Sequence, residues 1–362
     1  MRHGSVSKIA NAVEEKQLLS LSETIPFDDR INYHAELSDL SPLLVKAFLN
    51  EVKSDLALEA DAVPFADLCR QMQIVSGAKE MTKPKNVGLL CFSNNPEKFF
   101  PYTRIEFVHF LDDIGDRFVE QIFCGSLFEQ LKSALAYFKN QIIKEMVIKV
   151  PEQAEAIRIF NYPYEAIEEA LVNAVYHKSY NVREPIEVRI NYDYVQIMSF
   201  EGPMPPIKND DLKKERIISR SYRNRKVGDF LKELDFTEGR STGFPKIYRH
   251  LKKNYSPEPK FETDDNNQHF LATIYCHKLF APKQIVLNGK GRQILDFCKQ
   301  PKSSREILDF ISVSYHSKNM ATYIGNLIDA GCLYYTIPEN PFHRNQKYFT
   351  IEDKKVSGVV SG

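Results

Sequence analysis

A chain of 362 residues is too long for one ordinary hydrophobic core, so two or three domains are expected. Lys plus Arg and Asp plus Glu both number 48, and zero net charge excludes a wholly basic nucleic-acid binder while leaving room for a local basic surface. The hydrophobic fraction of 43% is that of a globular protein, and no apolar run approaches the ~20 residues of a membrane span. The N-terminal MRHGSVSKIANAVEEK lacks the apolar centre of a signal peptide, so a soluble cytoplasmic protein without membrane partners is expected. Six dispersed cysteines, with no C-x-x-C pair, read as buried reduced thiols rather than a disulfide frame or zinc site.

Residues 1 to 80 read mostly as helices, and DLSPLLVKAFLNEVKSDL has helical periodicity after Asp39 or Ser41 as cap. VGLLCFSNNPEKFF reads as a buried strand ending in a turn, with TRIEFVHFL as its partner. SLFEQLKSALAYFKNQII is a long amphipathic helix, followed by a strand-like MVIKV. A helix introduced by Tyr162-Pro163 comes next, then two strands joined at Tyr192-Asp193. Helices at 224–235 and 243–253 and the strand HFLATIYCH complete an α/β sandwich with helices on one face of a mixed sheet.

APKQIVLNGKG, near residues 279 to 290, breaks this pattern. Beyond it, GRQILDFCKQ, SSREILDFIS and SKNMATYIGNLIDAG read as three helices, and CLYYTIPENPFHRNQKYFTI as a hairpin. These are the parts of a winged helix-turn-helix, with Ala330-Gly331 as the stop of the third helix. The tail VSGVVSG reads as flexible.

The stretch YPYEAIEEALVNAVYHKSY places Glu169, Asn173 and His177 at intervals of four, which stacks them in one row on a helix. Ile167, Ala170, Leu171, Ala174 and Val175 form the apolar row beside it. In a phosphate-hydrolysing groove a carboxylate can deprotonate an attacking water, and an amide oxygen one turn away can ligate Mg²⁺. The alternatives are a solvated helix face or a structural hydrogen-bond pair, and His177 more often bonds backbone than catalyses. Gly239-Arg240-Ser241-Thr242-Gly243 can either offer N–H groups to an anion or simply cap the following helix. Arg220, Arg223, Arg225 and Lys226 form a basic patch that reads as a phosphate-binding edge, a lid, or a solvated loop balanced by Asp229 and Glu233. In the last domain Tyr323, Ile324, Leu327 and Ile328 form an inner stripe, leaving His316, Lys318, Asn319 and Thr322 outward to read bases or phosphates. Wing residues His343, Arg344 and Lys347 face DNA backbone or minor groove, with protein contact or dimerisation as the competing use.

The Glu169-x-x-x-Asn173 helix resembles the N-box helix of the GHKL ATPase superfamily, which includes gyrase-type ATPases, heat-shock chaperones, histidine kinases and MutL proteins. There the glutamate is the general base and the asparagine holds magnesium. The succession ALVNAVYHKSY, SFEGPMPP, SYRNRKVGDFLKELDF and TEGRSTGFPKIYRHL is similar to the ATPase-like domain of bacterial Schlafen/AlbA-type transcriptional regulators, a group that carries a RecG-helicase-related label. RHGSVSKIANAVEEKQLL resembles the closing segment of the AlbA-type domain, and FDDR with GLLCFSNNPEKFFPYTRIEF its link to the next domain. The resemblance runs over residues 1 to 280 and implies that the first half of an AlbA-type domain should precede RHGS. The sequence departs from the GHKL pattern at its D-x-G-x-G turn, here Phe200-Glu201-Gly202-Pro203-Met204. Phenylalanine stands where the adenine-binding aspartate belongs, and methionine where a glycine admits phosphate.

The expected architecture is therefore a multidomain α/β (α+β) chain in four parts. They are an AlbA-type remnant with linker (1–155), a degenerate GHKL-like α/β sandwich (156–280), a winged helix-turn-helix (285–352) and a tail (353–362). The expected function is a homodimeric regulator of transcription that binds double-stranded DNA and answers to a small-molecule or nucleotide effector. Glu169 is the candidate base, and Asn173, His177, Gly202, Gly239, Thr242 and Gly243 are the candidate cofactor contacts, with Asn173 on Mg²⁺ if ATP binds. The rival is an active Mg-ATP-dependent enzyme, but a RecG-type motor is excluded because no G-x-x-x-x-G-K-[ST] loop exists.

Overall fold

The computed structural model describes residues 25–111, 116–148, 156–217, 222–237, 243–280, 289–329, 332–338 and 340–350, with a short antiparallel pair of Arg2–His3 and Val6–Ser7. Gly4 and Ser5 of RHGS, Arg220, Gly239 to Thr242, the Ala330-Gly331 stop and the tail lie outside these residues. Two compact units arise: residues 1–142, 164–248 and 259–274, and residues 143–163, 249–258 and 275–362.

The first unit is built on six strands, β1 (Ile105–Phe110), β2 (Phe118–Phe123), β3 (Ile186–Ile190), β4 (Tyr194–Phe200), β5 (Lys260–Thr263) and β6 (His269–Tyr275). They lie in the order β5-β6-β4-β3-β1-β2, with β1 parallel to β3 and the β1/β2, β3/β4 and β5/β6 pairs antiparallel. Burial alternates along β4, where Val195 and Ile197 are buried and Gln196 and Met198 are half-buried, as one covered face requires. Its main helices are α1 (Pro42–Glu51), α2 (Asn86–Phe92), α3 (Leu127–Tyr137), α4 (Tyr164–His177), α5 (Arg225–Glu233) and residues 243–248 of α6 (Gly243–Lys253). Ser41 caps α1 by accepting from the Leu44 N–H at 3.4 Å, and Ser126 with Glu129 closes a capping box on α3. Phe48, Phe92, Phe128 and Phe230, from four sequence-distant segments, meet in one aromatic cluster with centroids 5.3 to 6.4 Å apart.

Three expectations need correction. VGLLCFSNN is a helix, α2, not a strand, and all seven of its residues are buried. A helix apolar on every side is locally indistinguishable from a buried strand, so the run gave no period to read. TRIEFVHFL is a strand as expected, yet its partners are β2 and β3. The sheet also crosses the boundary expected at residue 155, because β1 and β2 pair into the same layer as β3 to β6.

The second unit holds the antiparallel hairpin of Glu145–Ile148 and Ile157–Phe160, then α7 (Gly289–Phe297), α8 (Ser304–Phe310) and a third helical stretch, α9 (317–329), whose middle is π-helical. Two short strands, β7 (Tyr334–Tyr335) and β8 (Tyr348–Phe349), form an antiparallel pair, and Tyr348 also bridges Lys302. Ile294, Cys298, Ile307, Leu308, Ile324 and Leu327 make its main core. Ile148, Ile159, Leu279 and Phe349 form a second core, which draws residues 143–163 and 275–280 into this unit and away from the sandwich in which the sequence placed residues 156–280. Among the described residues no helix is long and apolar enough to cross a membrane.

Candidate functional site

Helix α4 buries Ala166, Ile167, Ala170, Leu171, Ala174 and Val175, so its apolar row locks the opposite margin in place. Along that margin Glu169, Asn173 and His177 line one groove with Gly202, Met204 and Gly243. The rest of the lining is mostly apolar, including Ile207, Leu212, Phe244, Pro245 and Phe270.

Glu169 is buried, and both its oxygens are engaged. Oε1 accepts from the Asn173 side-chain amide at 3.2 Å, and Oε2 pairs with Lys246 Nζ at 3.1 Å. Lys246 lies in the first turn of α6 on the groove's other wall, 77 positions from Glu169, and no feature of the sequence announced it. A Cβ on Gly243 would lie 2.8 Å from Glu169 Oε1 and 2.8 Å from Asn173 Nδ2, so the α6 backbone rests directly on the row. Glu169 is thus a carboxylate that lies beside this helix start. Asn173 Oδ1 has no hydrogen-bond partner among the described residues.

His177 stacks on Tyr176 at 4.7 Å and faces Tyr222 at 6.0 Å. Burial, with the nearby Arg223 guanidinium as the lesser cause, pushes its pKa down to about 4, so the ring is neutral near pH 7. Arg223 corrects the reading of the basic patch as a solvated loop. It is half-buried, donates to the carbonyls of His177 at 2.6 Å and Gly202 at 3.2 Å, and stands 3.4 Å from Glu201. Asn224 donates to the carbonyls of Tyr176 at 2.9 Å and Lys178 at 2.7 Å, so the Arg-Asn pair ties down the end of α4. Lys178, almost fully buried, donates to the backbone of Val182 and Glu184, and burial lowers its pKa to about 8.

Gly202 is required by packing. A Cβ there would fall 2.7 Å from Thr263 Oγ1 and 2.8 Å from the Asn267 carbonyl. Phe200 does not line the groove; its ring faces His269 at 6.5 Å. Asp28 of FDDR was not foreseen as functional, but it is fully buried and accepts from the Val227 N–H at 3.0 Å, holding the start of α5. Burial raises its pKa to about 6.

The second group of candidates sits in the other unit. His316 caps α9 by accepting from the Asn319 N–H at 3.3 Å, and Asn319 donates to Ser314 O at 2.8 Å, so both already serve the helix start. Lys318, Thr322, Arg344 and Lys347 are exposed. His343 Nδ1 accepts from the Asn345 N–H at 3.2 Å. Among the described residues no cluster of three or more His, Cys, Asp or Glu side chains is arranged to hold a metal.

Residues 184–274 match the family described as "Putative ATP-dependent DNA helicase recG C-terminal". The segment from β3 to β6 is thus similar to a RecG-related, ATPase-like α/β domain, and the match begins after α4, so it does not cover Glu169, Asn173 or His177. The crystal structure of the DIP2311 protein from Corynebacterium diphtheriae is similar in fold, with a TM-score of 0.55 and 18% identity over 86% of this chain. The chain spans 62% of the length of that protein. No curated protein sequence matches it.

Proposed function

We propose that the protein is a DNA-binding regulator of transcription whose ATPase-like domain takes a ligand in the α4 groove without turning over ATP. The observation that carries this is the Glu169–Lys246 ion pair. With an ammonium on one oxygen and an amide on the other, the carboxylate has part of its acceptor capacity taken, and an attacking water must compete with a bound cation for it. Glu201, next in sequence to the Phe200 that stands where the adenine-binding aspartate belongs, lies against Arg223. The mostly apolar walls suit a flat, weakly charged effector better than a triphosphate.

DNA contact is assigned to the second unit, read as a winged helix over residues 285–352. Support comes from three helical segments followed by an antiparallel pair, with Lys318, Thr322, Arg344 and Lys347 exposed. Such a contact is modest and salt-sensitive, and a homodimer raises its affinity over two half-sites. A Mg-ATP-dependent enzyme is the second reading, favoured by the unpartnered Asn173 Oδ1, a hard oxygen suited to Mg²⁺ beside a groove. Calorimetry with Mg-ATP decides between them. Tight binding with hydrolysis that disappears in Glu169→Ala establishes the enzyme, whereas no heat and no turnover supports the sensor.

A further inference from the structure

The two edges of the six-stranded sheet differ. Strand β5 is four residues long, lies just after Pro257 and Pro259, and carries a Lys260–Glu262 ion pair at 2.8 Å. Those are the devices that keep an edge from pairing with another chain. Strand β2, at the other edge, has six residues in unbroken register, no proline, no lysine and no bulge. Phe118, Val119 and Ile122 on it, and Leu111 directly after β1, are all about half exposed. No strand pairs with its outer side among the described residues.

The direction of the backbone groups follows from one hydrogen bond. Leu111 N–H donates to the Arg117 carbonyl at 2.8 Å, which makes 111/117 a hydrogen-bonded pair. Antiparallel pairs alternate, so residues 117, 119, 121 and 123 bond inward to β1. Phe118, Glu120 and Ile122 therefore direct both N–H and C=O outward. The Ile122 carbonyl is met only weakly, by the side-chain amide of Gln121 at 3.4 Å.

We propose that this edge pairs with the same edge of a second copy of the chain, antiparallel about Gln121, to form one continuous sheet. Outward groups must meet outward groups, so the symmetric registers are few. Centring on Glu120 sets two carboxylates face to face, which is unfavourable. Centring on Val119 sets Ile122 opposite Asp116 and pairs Val119 with itself rather than with Phe123. Centring on Gln121 opposes Glu120 to Ile122 twice, each pair exchanging two hydrogen bonds, and aligns Val119 with Phe123. Phe118 then sits diagonally from Ile122 of the second copy, within reach of an aromatic side chain. The two Glu120 carboxylates then lie on a diagonal rather than face to face, and the exposed apolar groups of β2 are covered. The interface serves the homodimer named above but rests on the strand alone, so its failure leaves DNA binding by the second unit untouched.

Sedimentation of the DNA-free protein tests it, with a concentration-dependent dimer expected. Ile122→Pro removes an outward N–H that has no partner among the described residues, so it should weaken dimerisation about tenfold or more while unfolding cooperatively as before. Gln121→Cys in a Cys124→Ser background should form an intermolecular disulfide on mild oxidation, because non-hydrogen-bonded partners place their Cα atoms about 4.5 Å apart. Glu120→Cys in that background should not. A monomer at every concentration overturns the proposal. So does a dimer indifferent to Ile122→Pro that gives no Gln121→Cys cross-link, or one that cross-links through residue 120 instead.

Discussion

Two rows of polar side chains stand on two helices, and they have opposite fates. On α4, Glu169, Asn173 and His177 are held by Lys246, by each other and by an aromatic stack. On α9 and the loop beyond it, Lys318, Thr322 and Arg344 are exposed and make no side-chain hydrogen bond or ion pair among the described residues. The first row belongs to the stability of its unit as much as to any ligand. The second is free for a partner. Spacing on a helix therefore announces a row, but the segments that pack against it decide whether the row is available.

The sharpest way to break this contrast is to unpair Glu169. Lys246→Met leaves a buried carboxylate without its cation and should destabilise the fold by about 3–5 kcal/mol, measured by urea unfolding. Adding Glu169→Gln should recover most of that loss; a single variant as stable as the parent would show the pair to be incidental.

Acid titration probes the same row. His177 takes a proton at about pH 4 in the fold but near 6.5 when unfolded. Its contribution is present above 6.5 and lost as pH falls toward 4, by at most ~3 kcal/mol. Asp28, raised to about 6, acts in the opposite sense, since the fold holds its proton and gains stability as pH falls from 6 to 4. The parent should thus show a shallow profile in this range. His177→Gln should change it to one in which stability increases on acidification, read as unfolding midpoints at several pH values.

A smaller loss, about 1–3 kcal/mol, is expected for Gly243→Ala, whose methyl would overlap Glu169 and Asn173. Partial rescue by Asn173→Ala in a double-mutant cycle is the signature of that contact. The smallest stability effects belong to the exposed row. Lys318→Ala and Arg344→Ala should each alter unfolding by less than about 0.5 kcal/mol. Each should nonetheless weaken binding to duplex DNA and reduce the salt slope by about 1. Binding indifferent to both would move the DNA contact elsewhere.

Much of this was readable in advance wherever one local period ruled. Helices α3, α4, α5 and α6 and the β3/β4 hairpin fall close to their expected places, because amphipathic spacing and a two-residue turn are short-range signals. The α2 segment failed for want of any period, and β2 and β5 passed unread because short strands gain their identity from neighbours. Glu169 and Asn173 were legible as a row. Their partner Lys246 was not, nor was the clamp that Arg223 and Asn224 place on the end of α4.

By itself, then, the sequence determined the order of the main helices, the mostly apolar margin that seats α4 and the polar row beside it. These depend on contacts within a few turns of chain. Only the tertiary structure decided that β1 and β2 join the sheet, that Leu279 and Phe349 share a core in the second unit, and that α6 brings a lysine to Glu169. Those contacts join residues tens of positions apart. Burial and charge pairing, which fix what each side chain can do, exist only once the chain has closed those distances.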